Sequence, residues 1–466
     1  MRGLFHQALP FTAVWRVAII VKWSDTCSIR IALQGGSMIN ACVHIGSRGE
    51  RCKRNHDHGR IMITVKPAPL SLGDGMSVSS AWTLNPDVLH LNHGSFGAVP
   101  ARIQDFQNHL RAEMDVDPVR WFTTLAPRVV QARGALAGFL GTDPACTAVV
   151  PNVTAGASAV FHSVRPPRGP DIVVTDHGYG AVTMGAERAA TRWGGRLITA
   201  EVPINATFAE AHDIVMSSCT ATTGLIVVDQ ITSATARRMP VIEIAASARE
   251  RGIRTLVDGA HAPGLHPKPL EDLDCDYWIG AFHKWPCAPR GAAVLIARRD
   301  VAQELFPVID SWGTPLAFPE RFDVQGTLDF TSYLAAPASI QFVEDEWGWD
   351  RVRSYMSDLA DYAARVIAEA FSIHTGEDHR VDVAAPVNAM RLVRLPAGLA
   401  TTHAQADALR LPVRKECNTA AALTSFRGIG YLRLSAHVYG TTQDYDEAAE
   451  RLVPRLCEWA LTSVPP

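Results

Sequence analysis

Val257-Asp258-Gly259-Ala260-His261 begins within the apolar run Thr255–Asp258 and continues beyond its end. Ala281-Phe282-His283-Lys284-Trp285 follows the next apolar run, Tyr277–Gly280. Working outward from these two stretches, similar short apolar runs occur at Ala148–Pro151, Asp171–Thr175, Leu197–Val202, Gly224–Asp229, Thr255–Asp258 and Ala292–Ala297. Amphipathic segments such as Val241–Arg251 separate most of them. This alternation predicts an α/β fold with a large, mostly parallel sheet that helices cover on both faces. In such sheets ligands bind at the carboxyl ends of the strands, which is where both polar motifs lie.

The sequence after residue 340 predicts a second domain. A helix over Asp350–Phe371 and strands near Val387–Leu395 and Gly430–Ser435 indicate a smaller α+β C-terminal domain at residues 341–466. Residues 76–340 would then form an N-terminal arm and the large domain.

The first 75 residues differ in charge from the rest of the chain. They carry ten Lys and Arg against four Asp and Glu, a net charge of +6 that leaves −9 for the remainder. A basic leader of this kind can be a targeting segment. However, Pro10 and Arg16 interrupt its apolar run Ala8–Val21. We therefore predict that residues 1–75 are a poorly ordered extension, with Met76 as a plausible true start.

Composition limits the class of protein. The chain has 466 residues, 47% of them apolar and 20% charged, as in ordinary globular proteins. A formal net charge of −3 gives no reason to expect a nucleic-acid partner. No run approaches the roughly 20 apolar residues that a membrane helix needs. Nine cysteines without a CxxC pair favour the cytoplasm over secretion with a few disulfides, and no metal site is predicted.

Two polar motifs point to the same chemistry. Lys284 follows a strand, where burial would lower its pKa and free the amine to attack an aldehyde, although lysines beside aromatics are more often at the surface. Asp258 ends the preceding strand and either caps the next helix or pairs with the protonated pyridine nitrogen of pyridoxal 5′-phosphate (PLP). His261 can reach the ring oxygen of that cofactor, stack on a ligand, or be structural. Asp258 and Lys284 together predict a PLP site more specifically than either residue alone.

Two further motifs offer groups that bind anions. Asn152–Ser158 places free backbone N–H groups at a helix N-terminus, which suits a phosphate; the alternative is a helix cap without a ligand. Arg433 lies within the apolar strand Tyr431–Ser435, and a buried guanidinium needs an anionic partner. That partner is either a substrate carboxylate held by two hydrogen bonds or a protein carboxylate in a salt bridge.

Together these motifs resemble class V aminotransferases, which are PLP enzymes of fold type I, and in particular their isopenicillin N epimerase-like branch. The resemblance runs from about Leu91 to Tyr439. It is carried by Leu91–Gly97, Asn152–Gly156, Asp176–Ala181, Val257–Gly264, His283–Trp285 with Ala288–Gly291, Gln325–Asp329 and Arg433–Tyr439. The resemblance implies a fold with a seven-stranded large domain and a smaller C-terminal domain, an amino-acid substrate and a homodimer.

The resemblance also implies a role for each matching residue. Lys284 would bind the cofactor as a Schiff base and move protons at Cα, and Asp258 would bind the pyridine nitrogen. The remaining cofactor contacts would be Thr154, Ala155 and His283 at the phosphate, Tyr179 (rather than His177) stacked on the ring, and His261 and Ser233 near the ring oxygen. Gly326 and Thr327 would reach the phosphate of the neighbouring subunit. Asn92, His93 and Arg433 would contact the substrate.

The chain departs from the family pattern in three places. Ala281 and Phe282 stand where many relatives carry a polar residue, so one phosphate hydroxyl is expected to be missing. The turn Ser233–Ala236 lacks the usual Pro and Gly, and Tyr439-Gly440 replaces the usual Tyr-Asn. We expect PLP binding to tolerate these changes, whereas the namesake substrate does not follow from the resemblance.

Three reactions compete, because PLP stabilises a carbanion while the protein selects its fate. Epimerisation needs a second proton donor opposite Lys284, transamination needs a keto-acid partner, and elimination or desulfurisation needs a leaving group at Cβ. Cysteine desulfurases also use a nucleophilic cysteine in the region of Cys417, but Arg414–Cys417 lacks their Arg-x-Gly-x-x-Cys pattern, so an incidental buried thiol is favoured. A non-catalytic PLP-fold scaffold is a further alternative, and the presence of Asp258 and Lys284 argues against it.

Overall fold

The computed structural model describes residues 66–462 and, before them, three strands: β1 (Ala18–Lys22), β2 (Ser28–Ala32) and β3 (Met38–Cys42). These strands pair antiparallel in the order β1-β2-β3. The other residues up to 65 lie outside the described part, so the prediction of a poorly ordered extension over residues 1–75 stays a prediction. The chain divides into two compact units, Met1–Ile63 and Thr64–Pro466.

The second unit begins with an arm that precedes the main sheet. The arm contains β4 (Leu89–His90), α1 (His93–Phe96), α2 (Ala101–Val116) and α3 (Pro118–Leu140). The Asp117 side chain caps α3 by accepting a hydrogen bond from the Arg120 amide, and Gly141 ends the helix in the left-handed conformation.

A seven-stranded sheet forms the centre of this unit and confirms the predicted α/β fold. Its strands are β5 (Thr147–Val150), β6 (Asp171–Thr175), β7 (Leu197–Ala200), β8 (Thr223–Asp229), β9 (Arg254–Asp258), β10 (Tyr277–Ala281) and β11 (Ala293–Ala297). They are ordered β5-β11-β10-β9-β8-β6-β7, and only the pairs that include β11 are antiparallel. The helices α4 (Val153–Ser163), α5 (Gly180–Trp193), α6 (Phe208–Ser217) and α7 (Val241–Glu250) connect strands of this sheet.

Both faces of the sheet are covered. Alternate residues of β6 enter different core clusters, because successive side chains of a strand point to opposite faces: Ile172 and Val174 pack in one cluster and Val173 in the other. This two-sided burial explains why the strands read as continuous apolar runs rather than as an alternating pattern.

The C-terminal part contains a smaller sheet between helices. Its elements are α8 (Thr331–Trp347), α9 (Trp349–Thr375), β12 (Met390–Arg394), α10 (His403–Ala408), α11 (Arg410–Glu416), β13 (Thr419–Ala420), β14 (Ala422–Phe426), β15 (Ile429–Ser435) and α12 (Thr442–Thr462). Strands β12, β15 and β14 form an antiparallel sheet in that order, and β13 pairs with β4 of the arm. The predicted long helix and both predicted strands are confirmed as α9, β12 and β15. The predicted domain boundary at residue 341 falls inside α8, and the division into domains stays a prediction.

Short 3-10 helices lie at Val78–Ala81, Pro144–Cys146, Ala302–Glu304 and Glu320–Phe322. Within the described residues, none of the helices combines the length and the apolar character that crossing a bilayer requires.

The strand order brings three polar strand ends together at one edge of the main sheet. Asp229 ends β8, Asp258 ends β9, and Lys284 comes three residues after β10. In the parallel register Asp258 stands opposite Asp229 on one side and Ile279 on the other. A glycine is required directly after Asp258, because a Cβ at Gly259 would collide with the Trp278 indole. The chain can therefore turn there and direct His261 back toward Lys284.

Candidate active site

Lys284 is partly buried after β10. Its Nζ is 2.9 Å from Nε2 of His261. Burial lowers the pKa of Lys284 to about 8, although the negative charge of Asp258 acts in the opposite direction. A lysine with such a pKa has a substantial fraction of neutral, nucleophilic amine near neutral pH. The predicted chemistry at this position is therefore consistent with its surroundings.

Asp258 caps the following turn and also keeps one oxygen free. Its Oδ1 accepts a hydrogen bond of 2.9 Å from the Ala260 amide, while Oδ2 has no partner although the side chain is only 2% exposed. Burial raises the pKa of Asp258, and the Ala260 amide and Lys284 lower it. Buried oxygens in folded proteins nearly always have a hydrogen-bond partner. A free oxygen here fits a ligand donor such as a protonated ring nitrogen.

His261 presents a second buried atom without a partner, its Nδ1. Burial holds the pKa of His261 well below its usual value, so the ring is neutral. Because Lys284 is mostly protonated below pH 8 and donates to Nε2, the His261 proton lies on Nδ1 and is free to donate. An acceptor on a ligand, such as a phenolic ring oxygen, would satisfy it. Lys284, Asp258 and His261 thus fit the aldehyde, the ring nitrogen and the ring oxygen of PLP.

The predicted phosphate site stays a prediction, and one of its groups, the Ala155 amide, already has a partner within the protein. Helix α4 follows Asn152, whose Oδ1 accepts a hydrogen bond of 2.8 Å from the Ala155 amide. The predicted role of Ala155 therefore conflicts with the structure, because the N-cap side chain already uses that N–H. Thr154 is exposed at the first turn of the helix, and its own backbone N–H has no acceptor within the helix. Thr154 and the partly buried His283 remain candidates, and burial lowers the pKa of His283 to about 4.

Arg433 on β15 is buried without a carboxylate partner. Its Nη1 donates to the backbone oxygen of Ser233 at 2.7 Å and to Ser233 Oγ at 3.1 Å. Its Nη2 donates to Asn92 Oδ1 at 2.9 Å and to Ser95 Oγ at 2.8 Å, while Nε has no partner. Burial lowers the pKa of Arg433 to about 10. All four acceptors are uncharged, so the predicted alternative of a structural salt bridge is wrong for the part of the chain that the structure describes.

His93 does not have the position predicted for a substrate contact. Its Nε2 is 2.9 Å from the backbone oxygen of Lys284, and its Nδ1 is 2.9 Å from the hydroxyl of Tyr439. The ring also stacks on His437 with 3.8 Å between centroids. Both nitrogens are therefore engaged behind the lysine. The reason is the tight packing of the arm in this region, where a Cβ at Gly97 would collide with the His283 carbonyl.

A cluster of possible metal ligands lies behind Lys284. Ligand atoms of His93, Cys287 and His437, all buried, lie within 4.8 Å of one another. The two imidazoles stack with an interplanar angle of 20°, so their lone pairs lie in nearly parallel planes and cannot converge on one ion. Cys287 Sγ is 3.4 Å from His437 Nε2, and burial raises the pKa of the thiol. The cluster therefore has the contacts of packing rather than the geometry of a metal site.

The turn before α5 separates two predicted stacking candidates. His177 is buried with both ring nitrogens engaged, at 2.7 Å from Thr235 Oγ1 and 2.8 Å from the Val202 oxygen. Its ring stacks on Phe426 at 4.3 Å, so His177 is structural. Tyr179 is 46% exposed at the start of α5, and its predicted role in stacking on the cofactor stays a prediction.

Two site residues were missed in the sequence. Asp229 is buried directly beside Asp258, but in the sequence it is visible only as the last residue of the apolar run Gly224–Asp229. The strand order that places β8 next to β9 is what reveals it. Ser95, which accepts a hydrogen bond from Arg433, lies in the same stretch as Asn92 and was not singled out.

Gly326, Thr327 and Cys417 lie away from this cluster. Gly326 (φ 82°) and Thr327 line a separate cleft of about 750 Å³ together with Phe122 and Trp312, and their predicted role toward a second subunit stays a prediction. Cys417 follows α11 and is 1% exposed, and burial raises the pKa of its thiol. This environment does not favour a nucleophile.

The family model of class V aminotransferases matches residues 98–444. The chain is 30% identical over 407 residues to isopenicillin N epimerase of Streptomyces clavuligerus, covering 82% of this chain and 98% of that protein. It is 32% identical over 413 residues to isopenicillin N epimerase of Amycolatopsis lactamdurans, covering 80% and 98%. An L-cysteine desulfhydrase of Arabidopsis thaliana is 23% identical over 402 residues, covering 78% and 87%.

Solved structures confirm the fold. The cystine C–S lyase C-DES, in complex with its product cysteine persulfide, superposes with a TM-score of 0.67 at 19% identity, covering 80% of this chain and 98% of that chain. The groups around Lys284 also fit the PLP cofactor that the sequence motifs predict. On the strength of the family match and of the two relatives at 30% and 32% identity, the chain belongs to the class V aminotransferase family.

Proposed function

We propose that the protein is a PLP-dependent enzyme that acts at Cα of an amino acid, or of a molecule that carries one, as an isopenicillin N epimerase-like enzyme. The observation that carries this proposal is the buried Arg433 guanidinium, which has only uncharged acceptors and lies close enough to Lys284 to lower the pKa of its ammonium. A buried cation without a carboxylate is costly unless a ligand anion pairs with it. A substrate α-carboxylate is such an anion.

Each residue of the site would have a distinct task. Arg433 would bind the substrate carboxylate, and Asn92 and Ser233 would keep the guanidinium in place. When bound, PLP would supply the electron withdrawal that stabilises negative charge at Cα. Lys284, with its pKa of about 8, would take up and return the Cα proton, and His261 would orient its Nζ.

Epimerisation at Cα is the reaction that we favour among the three alternatives. It is supported by the similarity to two isopenicillin N epimerases over nearly their full length. Release of sulfide from L-cysteine is the second candidate, supported by the similarity to a plant L-cysteine desulfhydrase. This second reaction needs a leaving group on the substrate, so it is compatible with a buried Cys417.

We also propose that the enzyme works as a homodimer in which Gly326 and Thr327 of one subunit reach the phosphate site of the other. The support is the apolar rim of the cleft that these residues line. Trp312 on this rim is 93% exposed, and Phe122 is 38% exposed. Exposed large apolar side chains around a cleft are typical of surfaces that bind another protein.

We propose a cytoplasmic location for the enzyme. The six cysteines within residues 66–462 are free, as expected in a reducing compartment. Cell fractionation with an antibody against the chain would test this location, and recovery in a secreted or membrane fraction would contradict it.

The proposed function can be tested by absorbance spectroscopy of the purified protein, before and after adding a panel of L- and D-amino acids. We expect a visible cofactor band that changes with particular amino acids and is lost or altered in Lys284→Ala. Chiral analysis of the products then separates epimerisation from sulfide release, which a sulfide assay detects directly. A protein that shows no band after incubation with PLP would refute the proposal.

A further inference from the structure

A second buried carboxylate lies beside Asp258 and has no task in the proposed reaction. Asp229 ends β8 and stands opposite Asp258 in the parallel register of β8 and β9. Residues that are paired in register on neighbouring parallel strands point to the same face of the sheet, so both carboxylates lie on one face. Asp229 is only 5% exposed. Two carboxylates are thus buried together where a single one would suffice for a ring nitrogen.

The surroundings of Asp229 contain little positive charge. Asp258 on β9 stands opposite it in register, and Lys284 after β10 is a cation that lowers its pKa. The turn before α5 covers another side, where a Cβ at Gly178 would lie 3.8 Å from Oδ2 of Asp229. Lys284 serves both carboxylates, so the pair has one cation for two acids.

When two carboxylates share a buried site with a single cation, one of them keeps its proton. Asp258 is the better anion, because it accepts a hydrogen bond from the Ala260 amide through Oδ1. Burial and then the charge of Asp258 raise the pKa of Asp229 well above its usual value. The proton is therefore assigned to Asp229 and the negative charge to Asp258.

We propose that Asp229 is a positioning residue: it remains a neutral carboxylic acid and donates a hydrogen bond to the Asp258 carboxylate. A donated hydrogen bond favours the ionised form of its acceptor, so Asp229 would keep Asp258 charged and fix the plane of its carboxylate. Asp258 would then be ready to accept the proton of a ring nitrogen. The inference rests on the proposed contact between Asp258 and PLP, but the protonation of Asp229 itself does not depend on bound PLP.

The protonation of Asp229 can be measured by infrared difference spectroscopy on the full-length protein without PLP at pH 8. We expect a carbonyl band of a protonated carboxylic acid that disappears in Asp229→Asn. Asp258→Glu keeps both carboxylates of the pair, and when this variant is labelled with ¹³C-aspartate the band should shift, because the proton lies on Asp229 and not on the unlabelled glutamate. The matched control is Asp171→Asn, which should keep the band. Asp171 is a buried aspartate at the first residue of β6, whereas Asp229 is the last residue of β8. A band that is absent from the wild type, or that keeps its unlabelled position in ¹³C-aspartate-labelled Asp258→Glu, would overturn the proposal.

A second measurement keeps the test valid if Asp229→Asn does not fold. Labelling the wild type with ¹³C-aspartate should shift the band, and the shifted band should persist in labelled Asp258→Glu and Asp171→Asn. A band insensitive to the label overturns the proposal.

PLP titration separates a positioning role from a charge effect. Asn and a protonated Asp are both neutral donors, so Asp229→Asn should bind PLP with unchanged affinity and an unchanged pH midpoint of the visible band. Asp229→Ala lacks the donor and should bind PLP roughly tenfold more weakly. Equal shifts of the midpoint in both variants would show that Asp229 is charged and would overturn the proposal. A wild type that binds no PLP would refute the proposed function, and the infrared test of Asp229 would still hold.

Discussion

Replacement of Arg433 by methionine separates substrate binding from folding. The change keeps an unbranched apolar stem and removes a buried guanidinium that has uncharged acceptors. The loss for the substrate follows from the two charge-assisted hydrogen bonds of a carboxylate pair, at about 1.5–3 kcal/mol each. We therefore expect the apparent affinity for an amino acid to fall by a factor of about 10² to 10⁴.

The effect of the same change on folding should be small. Removing a buried cation relieves its desolvation, while Ser233, Asn92 and Ser95 lose the donor that Arg433 provides. These contributions oppose each other, so we expect the free energy of unfolding without ligand to remain within about 1–2 kcal/mol of the wild type.

Titration of the cofactor absorbance with the amino acid identified in the panel measures the first effect, and urea unfolding measures the second. Arg394→Gln is the matched control, since Arg394 lies on β12 of the same sheet but forms an exposed ion pair with Glu377. Arg433→Met with wild-type affinity would refute the role of Arg433 in binding the carboxylate. A strongly destabilised Arg433→Met beside a normal control would instead identify the guanidinium as a structural group.

Four further predictions follow from the site and its surroundings. Lys284 has a lowered pKa, so the free energy of unfolding of the protein without PLP should rise by about 3 kcal/mol as pH increases from about 8 to 10.5. Urea unfolding across this pH range should show the rise in the wild type and not in Lys284→Met. His93→Phe should retain PLP by absorbance but lower kcat about tenfold, because the hydrogen bond to the Lys284 carbonyl is lost; a normal kcat would contradict a positioning role. Cys417→Ala should leave turnover unchanged and cost about 1 kcal/mol in unfolding, and an inactive folded variant would restore the nucleophile hypothesis. Trp312→Glu should lower the mass measured by light scattering from dimer to monomer, while an unchanged mass would place the interface elsewhere.

The fold and the central pair of the site follow from local sequence features. Buried parallel strands need apolar residues on both faces, so their runs are visible in the sequence, and the polar residues that end them stand out. Asp258 and Lys284 were identified in this way, and the structure places them at the ends of neighbouring strands. The charge of Arg433 within an apolar strand was equally visible, although its lack of a protein carboxylate was not.

The rest depends on tertiary arrangement. Asp229 becomes a neighbour of Asp258 only through the strand order, which no local pattern specifies. The family resemblance implied a substrate contact for His93, but its ring nitrogens contact the Lys284 carbonyl and the Tyr439 hydroxyl instead. The Ala155 amide was expected to be free, but the Asn152 side chain captures it. Each error concerns the direction of a group rather than its location along the chain.

The position of Arg433 on β15 has a consequence for how such a protein diversifies. Asp229, Asp258 and Lys284 take their positions from the large sheet, whereas Arg433 takes its position from the small antiparallel sheet. In the proposed function, the residues for the cofactor and the residue for the substrate carboxylate thus belong to different sheets of one chain. Substitutions in β12, β14 and β15 would then change which molecules are accepted without moving the ends of β8, β9 and β10, so the same cofactor site would serve many substrates.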